Sequence, residues 1–329
     1  MKVSVIIITY NHEKYLRNTL ESAINQKVNF EYEIIISDDA STDTTPAIIN
    51  EFHERYPNLI VPLLHNKNLG GFGKNNTLAA LAVTKGTYIA ALDGDDYWTD
   101  SEKLQTQVDY LENNPSFSAC FHNAKIKYED DLEVVEEFVN DENQKMVVSK
   151  ADLIDEDEVW FIATSAFMFK NGILKNYPKW FHESKSGDIP RYVLLAKAGD
   201  IGYINKVMSV YRKNRMGMSF TDSKFNANYI RNRISMFKAI DKEYNFEFHQ
   251  KMRFTLAKYY LFLARCSDLE LKFLLKPCYA IVSLYHSKPN TSAHLKEIIS
   301  DEILPKSFLK IYANTKWFFQ KKISTISKD

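Results

Sequence analysis

Cysteine, glycine and net charge are all scarce in this chain. Its 329 residues include three cysteines, Cys120, Cys266 and Cys278. They are scattered, odd in number and form no C-x-x-C pair, which excludes a disulfide framework and predicts reduced, buried thiols. None of the eight histidines falls in an H-x-x-x-H arrangement, so a histidine zinc site is disfavoured. The 10 glycines never take the G-x-G-x-x-G spacing, which argues against an NAD-dependent oxidoreductase. Lys plus Arg and Asp plus Glu stand at 42 each, a formal net charge of zero, so bulk electrostatics offers no hold on nucleic acid. No run reaches the roughly 18 apolar residues a membrane helix needs. The short apolar run Val3 to Thr9 ends in Tyr10-Asn11-His12-Glu13 with no small-residue cleavage site, unlike a signal peptide. A cytoplasmic protein is expected from these absences.

What is present suits a soluble core: 45% hydrophobic and 26% charged residues, on a length beyond one ordinary domain. The first half alternates strand and helix signals. Val3 to Thr9 and Ile34-Ile35-Ile36 are β-branched runs of the kind buried on both faces of a sheet. Lys14 to Gln26 follows a helical period. Thr45 before Pro46 predicts a capped helix to about Tyr56. Ile60 to Leu64 and Tyr88 to Leu92 read as further strands, Thr77 to Val83 and Ser101 to Asn113 as helical. This order implies βαβ units and a mostly parallel sheet, whose ligands bind beyond the carboxyl ends of the strands. From Ala119 to about Tyr211 the pattern loosens: Glu129 to Asp141 reads as a solvated hairpin or loop, Ser165 to Lys170 and Val207 to Tyr211 as strands, Ile189 to Ala198 as a helix. Beyond Lys224 the chain reads as helical.

Three polar clusters follow strands. Asp93-Gly94-Asp95-Asp96 packs carboxylates into one turn, where they repel unless a cation neutralises them; a hard divalent ion bridging phosphates would do so, and an ordinary acidic surface turn is the alternative. Asp38-Asp39-Ala40-Ser41-Thr42-Asp43 offers either a nucleoside acceptor or helix caps. Asn68-Leu69-Gly70-Gly71-Phe72-Gly73-Lys74-Asn75-Asn76 is either a backbone cradle for phosphate or a flexible loop.

Val3 to Gln26, Ile34 to Thr44, Asn68 to Asn76 and Ala90 to Lys103 (ALDGDDYWTDSEK) together resemble glycosyltransferase family 2, and the resemblance runs on through Gly187-Asp188 and Gly199 to Arg212. It covers about the first two-thirds of the chain and is closest to bacterial members that build capsule, O-antigen or other surface polysaccharides. It implies an α/β fold of the GT-A type: a Rossmann-like, mixed but mostly parallel sheet flanked by helices, here with a helical C-terminal extension. The implied division is a catalytic domain over 1–220, with a nucleotide-sugar-binding half (1–115) and an acceptor-binding half (116–220), then a helical region over 221–329.

The implied reaction is inverting transfer of a sugar from a nucleotide-diphosphate sugar, UDP by default, to an acceptor hydroxyl. By resemblance, Asp39 binds the nucleobase, Asp93 the ribose region, and Asp95 is the main ligand of Mn²⁺ or Mg²⁺, with Asp93 beside it. Thr9, Tyr10, Asn11 and Glu13 shape the nucleoside pocket, and Asn76 matches the polar position closing the glycine-containing loop. This chain has Ile8 where many members have proline, and Asn75 where many have arginine, which leaves Lys74 as the substitute phosphate contact. Asp188 is the implied base; helix capping is the competing role, and Glu183 is the reserve base. Arg212, Lys213 and Arg215, in a run to Ser219, are expected to close over the diphosphate. Trp160, Phe161 and Trp180 are candidates for stacking on an acceptor sugar or for the core.

The implied partners are the donor and a saccharide or lipid-linked saccharide acceptor. The aromatic and basic tail, Phe308 to Lys328, suits peripheral contact with the inner membrane surface, or packing on the catalytic domain or on a second copy in a homo-oligomer. Two rival functions remain: a catalytically silent nucleotide-sugar-binding scaffold, and a nucleotidyltransferase, the latter disfavoured by the absence of a glycine-rich basic loop after strand one.

Overall fold

The computed structural model describes residues 1–129, 136–154, 161–174, 176–213, 226–270 and 272–286. Trp160, Arg215 and the Phe308 to Lys328 tail lie outside these residues, as does the middle of the acidic stretch. The chain divides into two compact units, Met1–Thr221 and Asp222–Asp329.

The first unit is an α/β sheet with helices against it. It begins with β1 (Val3–Thr9), α1 (Leu16–Ile24), β2 (Tyr32–Asp38), α2 (Thr45–Arg55), β3 (Ile60–Leu64), α3 (Lys74–Leu81) and β4 (Tyr88–Asp93). It continues with β5 (Tyr97–Trp98), α4 (Lys103–Asn113), β6 (Ala119–Tyr128), β7 (Glu137–Phe138), β8 (Val147–Val148), α5 (Lys150–Leu153) and β9 (Met168–Lys170), and ends with α6 (Lys179–Glu183), α7 (Asp188–Ala196) and β10 (Ile201–Lys213). The strands run in the order β3-β2-β1-β4-β9-β6-β10-β5, with β7 on β6 and β8 on β10. The first four pair in parallel, as crossover helices between consecutive strands require. β9 enters antiparallel between β4 and β6, so the sheet is mixed.

Val5, Ile7, Ile34, Ile36, Ala90 and Leu92 form the centre of the core, against Leu16 and Leu20 of α1 and Ile49 and Phe52 of α2. Register decides where the polar ends fall. Thr9 pairs with Asp38, and Ile8 with Asp93, so three strands end together on one edge.

Three local expectations need correction. Thr45 does not cap α2: Thr44 holds that place without a side-chain bond, and the Thr45 hydroxyl instead accepts from His12 N at 2.9 Å. Ser165 to Lys170 is a 3-10 turn over Thr164–Ala166 before a shorter strand. Cys120 and Cys266 are buried, but Cys278 stands on the exposed face of its helix.

Deep in this unit Lys103 is fully buried, its Nζ 3.9 Å from the Trp98 ring centroid and without a hydrogen-bond partner. Burial pulls its pKa down to about 7. Between that value and the ordinary lysine value near ~10.4, the unfolded chain binds the extra proton, so this group makes stability rise with pH from about 7 upward. Lys103→Met is therefore expected to be more stable than the parent at pH 7, with the gap closing towards pH ~9.5. Urea unfolding at both pH values checks this; a gap independent of pH would contradict it.

The second unit is helical: α8 (Ala227–Glu243), α9 (His249–Arg265) and α10 (Lys272–His286). The Asn226 side chain caps α8 by accepting from the backbone N–H groups of Asn228 and Tyr229, and Leu261, Ala264 and Ala280 join α9 to α10. No helix among the described residues is long and apolar enough to cross a membrane.

Candidate active site

The acidic turn after β4 is held by its neighbours from several sides. Gly94 N donates to Ile8 O at 2.8 Å, and Asp96 N to Asp93 O at 3.0 Å. Thr19 of α1, fully buried, donates its hydroxyl towards both Gly94 O (2.9 Å) and Asp96 O (2.6 Å). On the other side Arg212 Nη1 donates to Asp95 O at 2.6 Å, and Arg212 N to Asp96 Oδ1 at 2.8 Å. Asp96 is thus a buried clamp on β10, and its carboxyl is pushed well above the usual range by burial and then by Asp95 and Asp93.

Arg212 differs from the expectation of a closing lid. It is buried, with Nε on Glu129 Oε1 at 3.0 Å and its guanidinium 4.4 Å and 5.2 Å from the rings of Tyr97 and Tyr15. The sheet pairs Val210 with Tyr97, which brings this residue against the turn. The rest of that basic run, beyond Lys213, lies outside the described residues.

Asp93, on the same edge, is partly buried. Burial raises its pKa to about 7, and Asp95 and then Asp188 push the same way; a Thr164 hydrogen bond and Arg191 oppose them. Asp188, far away in sequence, therefore lies within electrostatic reach of the acidic turn. It opens α7, with Gly187 at the N-cap and no side-chain cap bond, so the capping role is not realised. Its carboxylate is exposed and lies 3.4 Å from Arg191 Nη1. Glu183 is instead paired with Lys179 at 3.5 Å.

The loops after β1 and β2 are laced together. Asn11 takes a left-handed φ of 54°, its N donates to Ser41 Oγ at 2.8 Å, and its Oδ1 accepts from Thr42 N at 2.8 Å. Glu13 Oε2 accepts from Thr44 N (2.9 Å) and Thr44 Oγ1 (2.7 Å). Asp39 Oδ1 accepts from Leu69 N at 2.6 Å, tying the glycine-containing loop to the edge of β2. Thr9 is buried and Tyr10 exposed.

Two positions serve other ends than expected. Asn76 is fully buried, its amide donating to Ser37 O at 2.8 Å and accepting from Ser37 Oγ, so it fastens α3 to β2. Lys74 is 3% exposed, and its ammonium donates to the carbonyls of Phe181 (2.9 Å), His182 (2.8 Å) and Ser184. Committed to three carbonyls, it is not poised for a phosphate.

Sequence reading missed His12. Its Nδ1 is buried without a partner, as is Thr9 Oγ1, and both crowd Gly94: a Cβ there would lie 2.7 Å from His12 Nδ1 and 2.8 Å from the Thr9 Cβ. Burial draws the His12 pKa down against Asp95, Asp43 and Asp38. Its place between Asn11 and Glu13 was the available signal. Gly94→Ala is expected to destabilise the protein by ~1–3 kcal/mol through overpacking; an unchanged urea midpoint would count against this packing.

Residues 4–177 match the description glycosyl transferase family 2. An uncharacterized protein of Mycobacterium bovis is 33% identical over 234 residues, 68% of this chain and 62% of that protein, so the chain spans less than two-thirds of that relative's length. The Escherichia coli UDP-Glc:alpha-D-GlcNAc-diphosphoundecaprenol beta-1,3-glucosyltransferase WfaP is 40% identical over 115 residues, 35% of this chain and 43% of that one. Among solved structures, S. aureus TarS 1-349 in complex with UDP-GlcNAc shares the fold at TM-score 0.52 and 19% identity, over 87% of this chain and 89% of that one. A sheet of the GT-A kind, with acidic residues gathered where β1, β2 and β4 end, agrees with the family match over more than half the sequence: the chain belongs to glycosyl transferase family 2.

Proposed function

We propose that this chain transfers a sugar, with inversion, from a UDP-sugar to an acceptor hydroxyl in bacterial surface-polysaccharide synthesis. The observation that carries the reading is that Asp188, at the start of α7, lies within electrostatic reach of Asp93 in the acidic turn after β4, from a position nearly a hundred residues away. The donor assignment draws support from TarS, solved with UDP-GlcNAc, and from the E. coli relative, named for UDP-Glc and a diphosphoundecaprenol-linked acceptor. By the same analogy the acceptor here is a saccharide or lipid-linked saccharide.

A divalent cation, Mn²⁺ or Mg²⁺, fits the acidic turn. Asp93 is held up to about 7 by burial and neighbouring carboxylates, the condition of a site short of positive charge. Among the described residues no group of three or more His, Cys, Asp or Glu could hold a metal by itself. Such ions take their remaining ligands from substrate phosphates and water. Asp95, with Asp93, would hold it, and when bound it supplies charge stabilisation to the departing diphosphate. Asp39, with the laced loops around Asn11 and Glu13, forms the wall for base and ribose. Asp188 takes the proton from the acceptor hydroxyl. The acceptor oxygen bonds to the anomeric carbon as the bond from that carbon to the diphosphate breaks, and UDP leaves.

Thermal unfolding with UDP, GDP, dTDP and their sugars, in Mn²⁺, Mg²⁺ or EDTA, tests the donor assignment, because ligand bound to the native state raises Tm. A metal-dependent rise with the uridine set is expected. No rise with any nucleotide would contradict the reading, and binding without turnover would mark a scaffold.

A further inference from the structure

Arg191 is the buried cation beside Asp188, and no motif singled it out. It lies one turn into α7, three residues after Asp188. Its side chain is 4% exposed where that of Asp188 is 56% exposed. The two therefore differ from a surface i,i+3 ion pair, in which both partners are wet and the pair is worth little. Here the carboxylate faces outward and the guanidinium supports it from inside.

Nη1 approaches Asp188 Oδ1 at 3.4 Å, longer than a closed charge-assisted bond of about 2.7–2.9 Å. Nε is buried with no hydrogen-bond partner. The guanidinium next to the candidate base thus keeps one donor, Nε, that no protein group takes up. Catalytic hydrogen bonds in ligand-free proteins are often long and tighten once substrate is in place.

What holds Arg191 is also specific. It interacts with the Tyr177 phenol, and Tyr177 packs on Phe181 with ring centroids 4.2 Å apart. Phe181 begins the segment whose carbonyls bind Lys74. A Cβ on Gly187 would lie 3.4 Å from Lys74 and 3.7 Å from Arg191 Nη2, so both side chains pass beneath the turn that presents Asp188. The buried lysine thereby braces the segment that backs the arginine.

We propose that Arg191 is the positioning residue for Asp188, fixing the direction in which its carboxylate meets the acceptor hydroxyl. This rests on the reading of Asp188 as the base. A small misplacement of a catalytic group can lower a rate on the order of 10²-fold, so Arg191→Met is expected to lower kcat by about that factor, with little change in the KM for UDP-GlcNAc or UDP-Glc, and Arg191→Lys to restore part of it.

The deciding experiment is a double-mutant cycle of Arg191→Met and Arg191→Lys with Asp188→Asn, followed as single-turnover loss of UDP-GlcNAc and UDP-Glc, with Tm recorded for each variant. Once Asp188 is neutralised, changing Arg191 should alter the rate by less than about twofold, since the two act as one unit. Multiplying losses, or kcat and donor affinity falling together with Tm in both Arg191 variants, would reduce Arg191 to a fold support and overturn the proposal. Full activity of Asp188→Asn alone would instead remove the base assignment beneath it. If Arg191→Met unfolds, the lysine variant carries the same cycle.

Discussion

Asp188→Asn is expected to lower kcat on the order of 10³-fold while leaving donor binding intact, within the usual ~10²–10⁴ range for removing a general base. The expectation follows from where the residue stands. Its carboxylate is exposed at the start of α7, is not spent on capping, and bears electrostatically on Asp93. An amide of the same shape keeps the helix start and the packing but cannot take a proton. The split between an unchanged donor KM and a lost kcat separates a base from a binding residue. Parallel loss of both, or no loss, would contradict the assignment.

Asp95→Ala carries the second large effect. Asp95 is partly exposed, and its backbone oxygen accepts from Arg212 Nη1. Thr19, Ile8 and Arg212 hold the turn through its main-chain atoms, so these bonds survive replacement of the carboxylate. The loss expected is the metal-dependent part of nucleotide stabilisation, with kcat falling by roughly 10²–10³ or more, the range for losing electrostatic stabilisation at a developing charge. Isothermal titration of UDP with and without Mn²⁺ checks it. Metal-dependent binding that survives in Asp95→Ala would move the cation elsewhere. Asp93 is a poorer probe, because its burial entangles any substitution with folding.

Legibility in the sequence tracked how local each signal was. β1, β2 and β4 are continuous β-branched or apolar runs buried on both faces, and each could be placed without its partners. β6 could not. Ala119–Tyr128 carries His122, Asn123, Lys125 and Lys127, a pattern that hides a central strand. Its buried Asn123 is satisfied largely from a distant segment, its amide N–H donating to Asn140 O and its Oδ1 accepting from Asn140 N, each at 2.9 Å. The same rule divides the site. Carboxylates at strand ends announce themselves, since topology alone brings strand ends together. Thr19, His12 and Lys74 owe their roles to contacts across 75 to more than a hundred residues, or to a crowded glycine, which composition and spacing do not encode. Lys74 illustrates the consequence: a basic residue after a glycine-rich loop suggests phosphate, while the fold commits it to carbonyls of a distant segment.

Transfer from a nucleotide sugar with inversion is the activity proposed for this chain. Proton NMR of purified protein with α-configured UDP-GlcNAc or UDP-Glc, Mn²⁺ and a soluble glycoside acceptor tests it most directly, by following UDP release and the anomeric coupling of the product together. Metal-dependent UDP release with a β-linked product is expected, lost in Asp95→Ala and in Asp188→Asn. An α-linked product, or no turnover of any nucleotide sugar by folded protein that binds one, would contradict it.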